Sequence, residues 1–108
     1  LLCLNGKRIV DFKKKPNMKC DHIGEWPGFV KWSSQAAIEL SNIIERRISS
    51  GQIKQPCEDA FREYMLKSNN QNFYCDDITG IPWIEIDFPE DIDRAHNSIL
   101  PAIKNYTR

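Results

Sequence analysis

The sequence has no long apolar run, no excess of either charge and no closely spaced pair of cysteines. Fifteen Lys and Arg residues balance fifteen Asp and Glu residues, so no net charge draws the chain onto nucleic acid or an anionic membrane. No stretch approaches the roughly 20 apolar residues of a membrane span. What is left is a globular segment of 108 residues, enough for a single domain with its own core.

The four cysteines, at positions 3, 20, 57 and 75, have no C-x-x-C spacing, which argues against a zinc cluster. Two disulfides would be possible in a secreted chain. The opening residues Leu1–Leu4 are too short a run for the apolar region of a signal peptide, however. We therefore expect reduced thiols and a cytoplasmic location.

The first strands are predicted from a hairpin signal. Asn5-Gly6 separates two apolar runs, and the second run, residues 8–12, is expected to enter Lys13–Lys15 and stop at Pro16-Asn17. The lysine cluster is either a solvated strand end or a contact for a phosphate. A third strand is expected at residues 29–32.

Two helices follow. Residues 35–49 carry apolar side chains at intervals of three and four, and this predicts an amphipathic helix capped by Ser33 or Ser34 and ended at Gly51. A second helix, from Pro56 to about residue 67, is predicted because proline and acidic residues suit a first turn.

The C-terminal third is predicted to hold two strands and one more helix. Residues 68–72 should break the second helix, and residues 73–75 and 81–86 should form strands. The last helix should begin at Pro89 and be bent or ended early by Pro101. The order β-β-β-α-α-β-β-α predicts an α/β fold with a mixed sheet.

Two carboxylates occur near the end of the last predicted strand. Trp83, Glu85 and Asp87 should share one face, with Ile84 and Ile86 pointing inward. Such a pair of oxygen donors can hold a magnesium ion. Two alternatives remain: Asp87 can form a capping box with Glu90 around Pro89, and Glu85 can lie on a solvated face.

Residues 83–92 read Trp-Ile-Glu-Ile-Asp-Phe-Pro-Glu-Asp-Ile. This segment resembles the closing motif of the sugar and phosphocholine nucleotidyltransferase family. Residues 11–16, 24–29 and 57–60 resemble, in order, its lysine-proline strand end, its Gly-Glu-x-x-Gly segment and its Tyr-Glu-Asp-Ala helix start. The resemblance implies the C-terminal portion of a mixed-sheet, three-layer fold, with residues 1–108 as a single acceptor- and metal-binding domain.

The resemblance also implies an activity: transfer of a nucleotidyl group to a small phosphorylated acceptor, with release of pyrophosphate and Mg²⁺ as cofactor. The metal role falls on Asp87 first and on Glu85 second. Lys14 stands where many sugar-type members have an acid, which favours phosphocholine or a phosphonate as acceptor and CTP as donor.

Glu25 and Glu58 are expected near that acceptor. Trp26 is either a cation–π contact for a choline-like group or a core residue.

The family's Gly-rich nucleotide-binding loop has no counterpart here, because the five glycines are dispersed. The N-terminal, nucleotide-binding half is therefore expected to be absent, and the fragment alone to be inactive. The alternative is a non-catalytic remnant or interaction module, in which an unpaired sheet edge favours a homodimer.

Overall fold

A computed structural model describes residues 1–15, 19–67 and 73–106. The described residues form a small mixed α/β structure with a three-stranded antiparallel sheet and three helical segments. The chain divides into two compact units, Leu1–Asp76 and Asp77–Arg108. None of the described helices is long and apolar enough to cross a membrane.

The sheet of the first unit has the order β2-β1-β3, with strands β1 (Leu2–Asn5), β2 (Arg8–Phe12) and β3 (His22–Gly24). The predicted hairpin is confirmed, but its two-residue turn is Gly6-Lys7, since Asn5 pairs with Arg8. Gly6 has φ +60°, which is the reason glycine suits the first position of this turn. The predicted stop at positions 16 and 17 lies outside the described residues.

The cysteine prediction is wrong for two of the four thiols. Cys3 in β1 and Cys20, two residues before β3, form a disulfide with a Cα–Cα distance of 5.5 Å. Cys57 and Cys75 are free. The spacing of Cys3 and Cys20 carried no sign of this bond, because antiparallel pairing of β1 with β3 is what brings the two residues together.

The first helix, α1 (Ser34–Ser49), confirms the predicted amphipathic segment. Ser33 is the N-cap, since its Oγ accepts a hydrogen bond from the Ala36 N–H at 3.1 Å. At the other end Gly51 has φ +85° and donates its N–H to the Ile48 carbonyl at 3.0 Å. Both ends therefore follow from local sequence.

The second helix, α2 (Cys57–Lys67), is also confirmed, and it packs against both α1 and β2. Glu63 of α2 accepts hydrogen bonds from Arg46 and Arg47 of α1. The Arg46 hydrogen bond is the main reason that the pKa of Glu63 lies below its usual value. The predicted helix break at residues 68–72 lies outside the described residues.

The core of the first unit consists of two buried clusters that share Phe61 as a partly buried neighbour. One cluster joins the sheet to α2, and its buried members are Leu2, Leu4, Phe12 and Met65. The other joins α1 to α2, and its buried members are Leu40, Ile43 and Ala60. Phe61 lies 5.8 Å from Trp26 and 5.2 Å from Trp32, measured between ring centroids, so aromatic contacts connect the clusters.

Asp11 in β2 is completely buried, and it is paired with Arg62 of α2. Its Oδ1 accepts hydrogen bonds from Arg62 Nε at 2.6 Å and from the Phe12 N–H at 2.8 Å. Burial by itself would raise the pKa of Asp11. The hydrogen bonds and the charge of Arg62 outweigh this effect, and the pKa is lowered.

The predicted strands at residues 29–32 and 81–86 are wrong, since neither segment pairs with another. Phe29 and Val30 are 78% and 50% exposed, so their apolar character does not reflect a buried strand. The strand prediction at 73–75 is met only by a single bridge between Tyr74 and Arg8, flanked by hydrogen bonds from the Ile9 N–H and the Cys75 N–H.

The second unit contains a continuous helix that begins at Pro89, as predicted. Its parts are α3 (Pro89–Arg94), a π-helical turn (Ala95–Ile99) and α4 (Leu100–Asn105). Of the two outcomes expected at Pro101, the early end of the helix is wrong, because α4 continues to Asn105. A proline ring clashes with the carbonyl four residues earlier in a regular α-helix, and the wider π turn just before Pro101 changes that geometry.

Replacing Asp11 tests the buried ion pair. We expect Asp11→Asn to lower the free energy of unfolding by about 2 kcal/mol at pH 7, because Arg62 loses its charged partner. The folded-state pKa of Asp11 is depressed, so its contribution is present above the unfolded pKa and is lost as pH falls through the folded value. Urea unfolding at pH 7 and at pH 3 should show the difference between parent and variant shrinking at low pH.

The matched control is Asp93→Asn, which removes an exposed carboxylate and should change the free energy of unfolding by less than about 0.5 kcal/mol. Equal effects of Asp11→Asn and Asp93→Asn would contradict the role given to the buried pair.

Ser33 and Ser34 allow a second test, because only Ser33 caps α1. Ser33→Ala should cost about 1 kcal/mol of stability, since the Ala36 N–H loses its acceptor. Ser34→Ala should be neutral or slightly stabilising, because alanine is the better helix former. Thermal and urea unfolding of the two variants measure this directly, and the reverse ranking would show that the cap has been misassigned.

Candidate functional site

The two predicted metal ligands lie in the second unit, on the irregular segment that leads into α3. Glu85 and Asp87 are both exposed, and so is Trp83. Among the residues that the structure describes, no ion pair or hydrogen bond engages either carboxylate group. Both groups are therefore free to bind a ligand from solvent.

The predicted capping box of Asp87 and Glu90 is wrong. The N-cap of α3 is Phe88, and Asp91 Oδ2 accepts hydrogen bonds from the Asp87 N–H at 3.1 Å and from the Phe88 N–H at 3.0 Å. These two bonds lower the pKa of Asp91. Because Asp91 performs the capping, the alternative role proposed for the Asp87 side chain disappears.

The apolar partners of this segment differ from the prediction. Ile84 is half-buried, but Ile86 is 56% exposed and does not point inward. The alternation expected of a strand with one buried face fails because this segment has no neighbouring strand to hold a pleat. Glu85 is exposed at this position.

Trp26 belongs to the first unit and packs as a core residue. Its ring makes edge contacts with Phe12 at 5.3 Å and with Phe61 at 5.8 Å between centroids. Its Nε1–H donates to the Phe29 carbonyl at 2.9 Å. These contacts fix the orientation of the indole, and they favour the core interpretation over a cation–π contact.

The two acids predicted near the acceptor also lie in the first unit. Glu25 is exposed and directly follows β3. Glu58 is half-buried in the first turn of α2, and its Oε2 accepts a hydrogen bond from Cys57 Sγ at 3.4 Å. Burial first, and this hydrogen bond second, raise the pKa of the Cys57 thiol. Glu58 and Phe61 are three residues apart on α2, so the carboxylate lies one turn from the ring that contacts Trp26.

A surface cleft of about 320 Å³ lies beside α2, and none of the five predicted site residues lines it. Its lining is Arg47, Asp59, Arg62, Glu63, Leu66 and Lys67. Within it Arg47 already bonds to Glu63, and Arg62 already bonds to Asp11. Arg47 and Arg62 of the cleft thus already form ion pairs that join α2 to α1 and to the sheet.

Comparison of the chain with protein-family models, with curated proteins and with solved structures found no match. No group of three or more His, Cys, Asp and Glu side chains within residues 1–15, 19–67 and 73–106 could hold a metal ion. Any function must accordingly be argued from the chain's own residues.

Sequence reasoning missed Asp11 and Arg62, which hold the sheet on α2. The available signal was an acid placed between Val10 and Phe12 in an apolar strand, a costly choice unless the carboxylate has a partner. The identity of that partner, 51 residues further along, was not readable from local pattern.

The cap assignment can be tested by NMR titration. We expect the amide shifts of Asp87 and Phe88 to follow the ionisation of Asp91, with a midpoint below the usual range for aspartate. In Asp91→Asn this titration of the two amides should vanish, whereas Glu90→Gln, the control, should leave it in place. A midpoint that survives in Asp91→Asn would show that another carboxylate caps the helix.

Proposed function

We propose that the chain is the acceptor- and metal-binding part of a nucleotidyltransferase. The proposed reaction transfers a nucleotidyl group, CMP by preference, from a nucleoside triphosphate to a small phosphorylated metabolite such as phosphocholine or a phosphonate. The observation that carries the proposal is the pair of free carboxylates, Glu85 and Asp87, which precede a helix whose cap is supplied by a third acid, Asp91.

The donor set fits magnesium. Mg²⁺ takes one or two protein carboxylates and fills its remaining positions with water and substrate phosphate. Asp87 and Glu85 would supply those carboxylates, and a cluster of three protein ligands is not required. When bound, the ion would neutralise charge on the phosphates of the donor.

The residues of the first unit would orient the acceptor. Glu25 and Glu58 are carboxylates suited to a cationic group such as that of choline, and Glu58 lies on a helix held by its contacts with the sheet. Trp26 would support this region from the core, through Phe12 and Phe61. Catalysis would then depend on positioning and charge neutralisation rather than on a protein base. The nucleotide-binding loop would be supplied by a separate Gly-rich segment.

A second candidate is a non-catalytic module that forms a homodimer. It is favoured by β3, which lies at the edge of the sheet and carries Ile23, a residue that is 56% exposed. The outer edge of β3 has no strand beside it among the described residues, and such edges pair readily with another chain.

Isothermal titration of Mg²⁺ with CTP, followed by phosphocholine, tests the first proposal. We expect heat of binding from the parent chain, and at least a tenfold loss of apparent affinity in Asp87→Asn, because a carboxylate ligand is removed. Asp93→Asn, an exposed acid on α3, is the matched control and should bind as the parent does. Equal binding by both variants would contradict the metal role of Asp87.

The same samples discriminate the second candidate. A dimer in sedimentation, together with no heat from Mg²⁺ and CTP in any of the three chains, would favour the interaction module over the enzyme part.

A further inference from the structure

We propose that Cys20 is a site of reversible thiol–disulfide exchange, and that the redox state of its bond to Cys3 controls whether β3 stays attached to the sheet. The bond links the central strand to the residue that lies two positions before β3, at a sequence separation of 17. It is thus the covalent attachment of an edge strand.

The two bonded cysteines differ in their exposure. Cys3 is 0% exposed, whereas Cys20 is only partly buried. In this proposal a dissolved thiolate therefore attacks at Cys20 rather than at the fully buried Cys3.

The exchange needs a dithiol reductant. One thiolate of the reductant attacks Cys20 Sγ, the Cys3–Cys20 bond breaks, and Cys3 Sγ leaves with the electron pair and takes up a proton. The second thiolate of the reductant then attacks the reductant's first sulfur, which is bonded to Cys20 in the mixed disulfide. This step releases the Cys20 thiolate, which also takes up a proton. The chain gains two thiols, and the reductant becomes a disulfide that can drive the reverse reaction.

Apart from its short antiparallel pairing with β1 and the disulfide, few interactions hold β3. The strand has three residues, of which His22 and Ile23 are exposed, so it buries little apolar surface. Asp21, the residue before β3, is exposed. Its N–H donates to the Leu4 carbonyl at 3.0 Å and to Asn5 Oδ1 at 3.2 Å. A strand with so little burial depends strongly on a covalent link nearby.

The rest of the first unit has its own support. Asp11 binds Arg62, and the buried clusters join β1 and β2 to α2 without any contribution from β3. Opening the disulfide should therefore release β3 locally and leave β1, β2, α1 and α2 folded. This separation between a weak edge and an independently held core is what makes the bond a local switch.

Native-state hydrogen exchange of the full chain, followed by NMR with and without dithiothreitol, tests the proposal. We expect two titratable thiols in the denatured oxidised chain and four after reduction. On reduction, the Asp21 amide should exchange faster by on the order of a hundredfold, the effect of losing a cross-link of this loop length. The Ile9 amide, which donates to the Phe73 carbonyl, should keep its protection.

Two variants complete the test. Cys20→Ser should show fast Asp21 exchange whether or not dithiothreitol is present. Cys57→Ser, which removes an exposed free thiol, should respond to dithiothreitol as the parent does. Four thiols before reduction, equal Asp21 exchange in both redox states, or a loss of protection in α1 on reduction would each overturn the proposal. The last outcome, loss of protection in α1, would show that the bond stabilises the first unit as a whole.

Discussion

The buried ion pair of Asp11 and Arg62 is the interaction on which the arrangement of the first unit depends. A completely buried carboxylate is unfavourable unless it is paired and hydrogen-bonded, and Asp11 meets this requirement only when β2 lies against α2. Apolar packing of Leu2, Leu4 and Met65 is less selective, because such side chains tolerate shifts along the interface. The ion pair therefore fixes which position on α2 meets the end of β2.

Aromatic contacts with α2 position the segment between β3 and α1. Phe61, one residue before Arg62 on α2, contacts both Trp26 and Trp32, which lie on the segment between β3 and α1. An irregular segment of this length gains little order from its own hydrogen bonds, so its position depends on the rings that it buries. Of the candidate acceptor residues, Glu25 is adjacent to Trp26 and Glu58 is three residues before Phe61, so both depend on the same packing.

In the second unit, helix capping and backbone geometry stabilise the structure more than burial of side chains does. Asp91 satisfies the N–H groups at the start of α3, and a π turn accommodates Pro101 near its end. Because capping is done by Asp91, the carboxylates of Glu85 and Asp87 remain free for a ligand. This division of roles among neighbouring acids is the physical basis of the proposed metal site.

Elements with local causes were predictable from the residues alone: the hairpin at Gly6, α1 between Ser33 and Gly51, α2 after Pro56 and the helix start at Pro89. The sequence also indicated Glu85 and Asp87 as candidate ligands. Three features became known only from the folded chain: the Asp11–Arg62 pair, the Cys3–Cys20 bond and the absence of pairing at residues 81–86. Caps and turns are encoded within a few residues, whereas pairing depends on which distant segments the fold brings side by side.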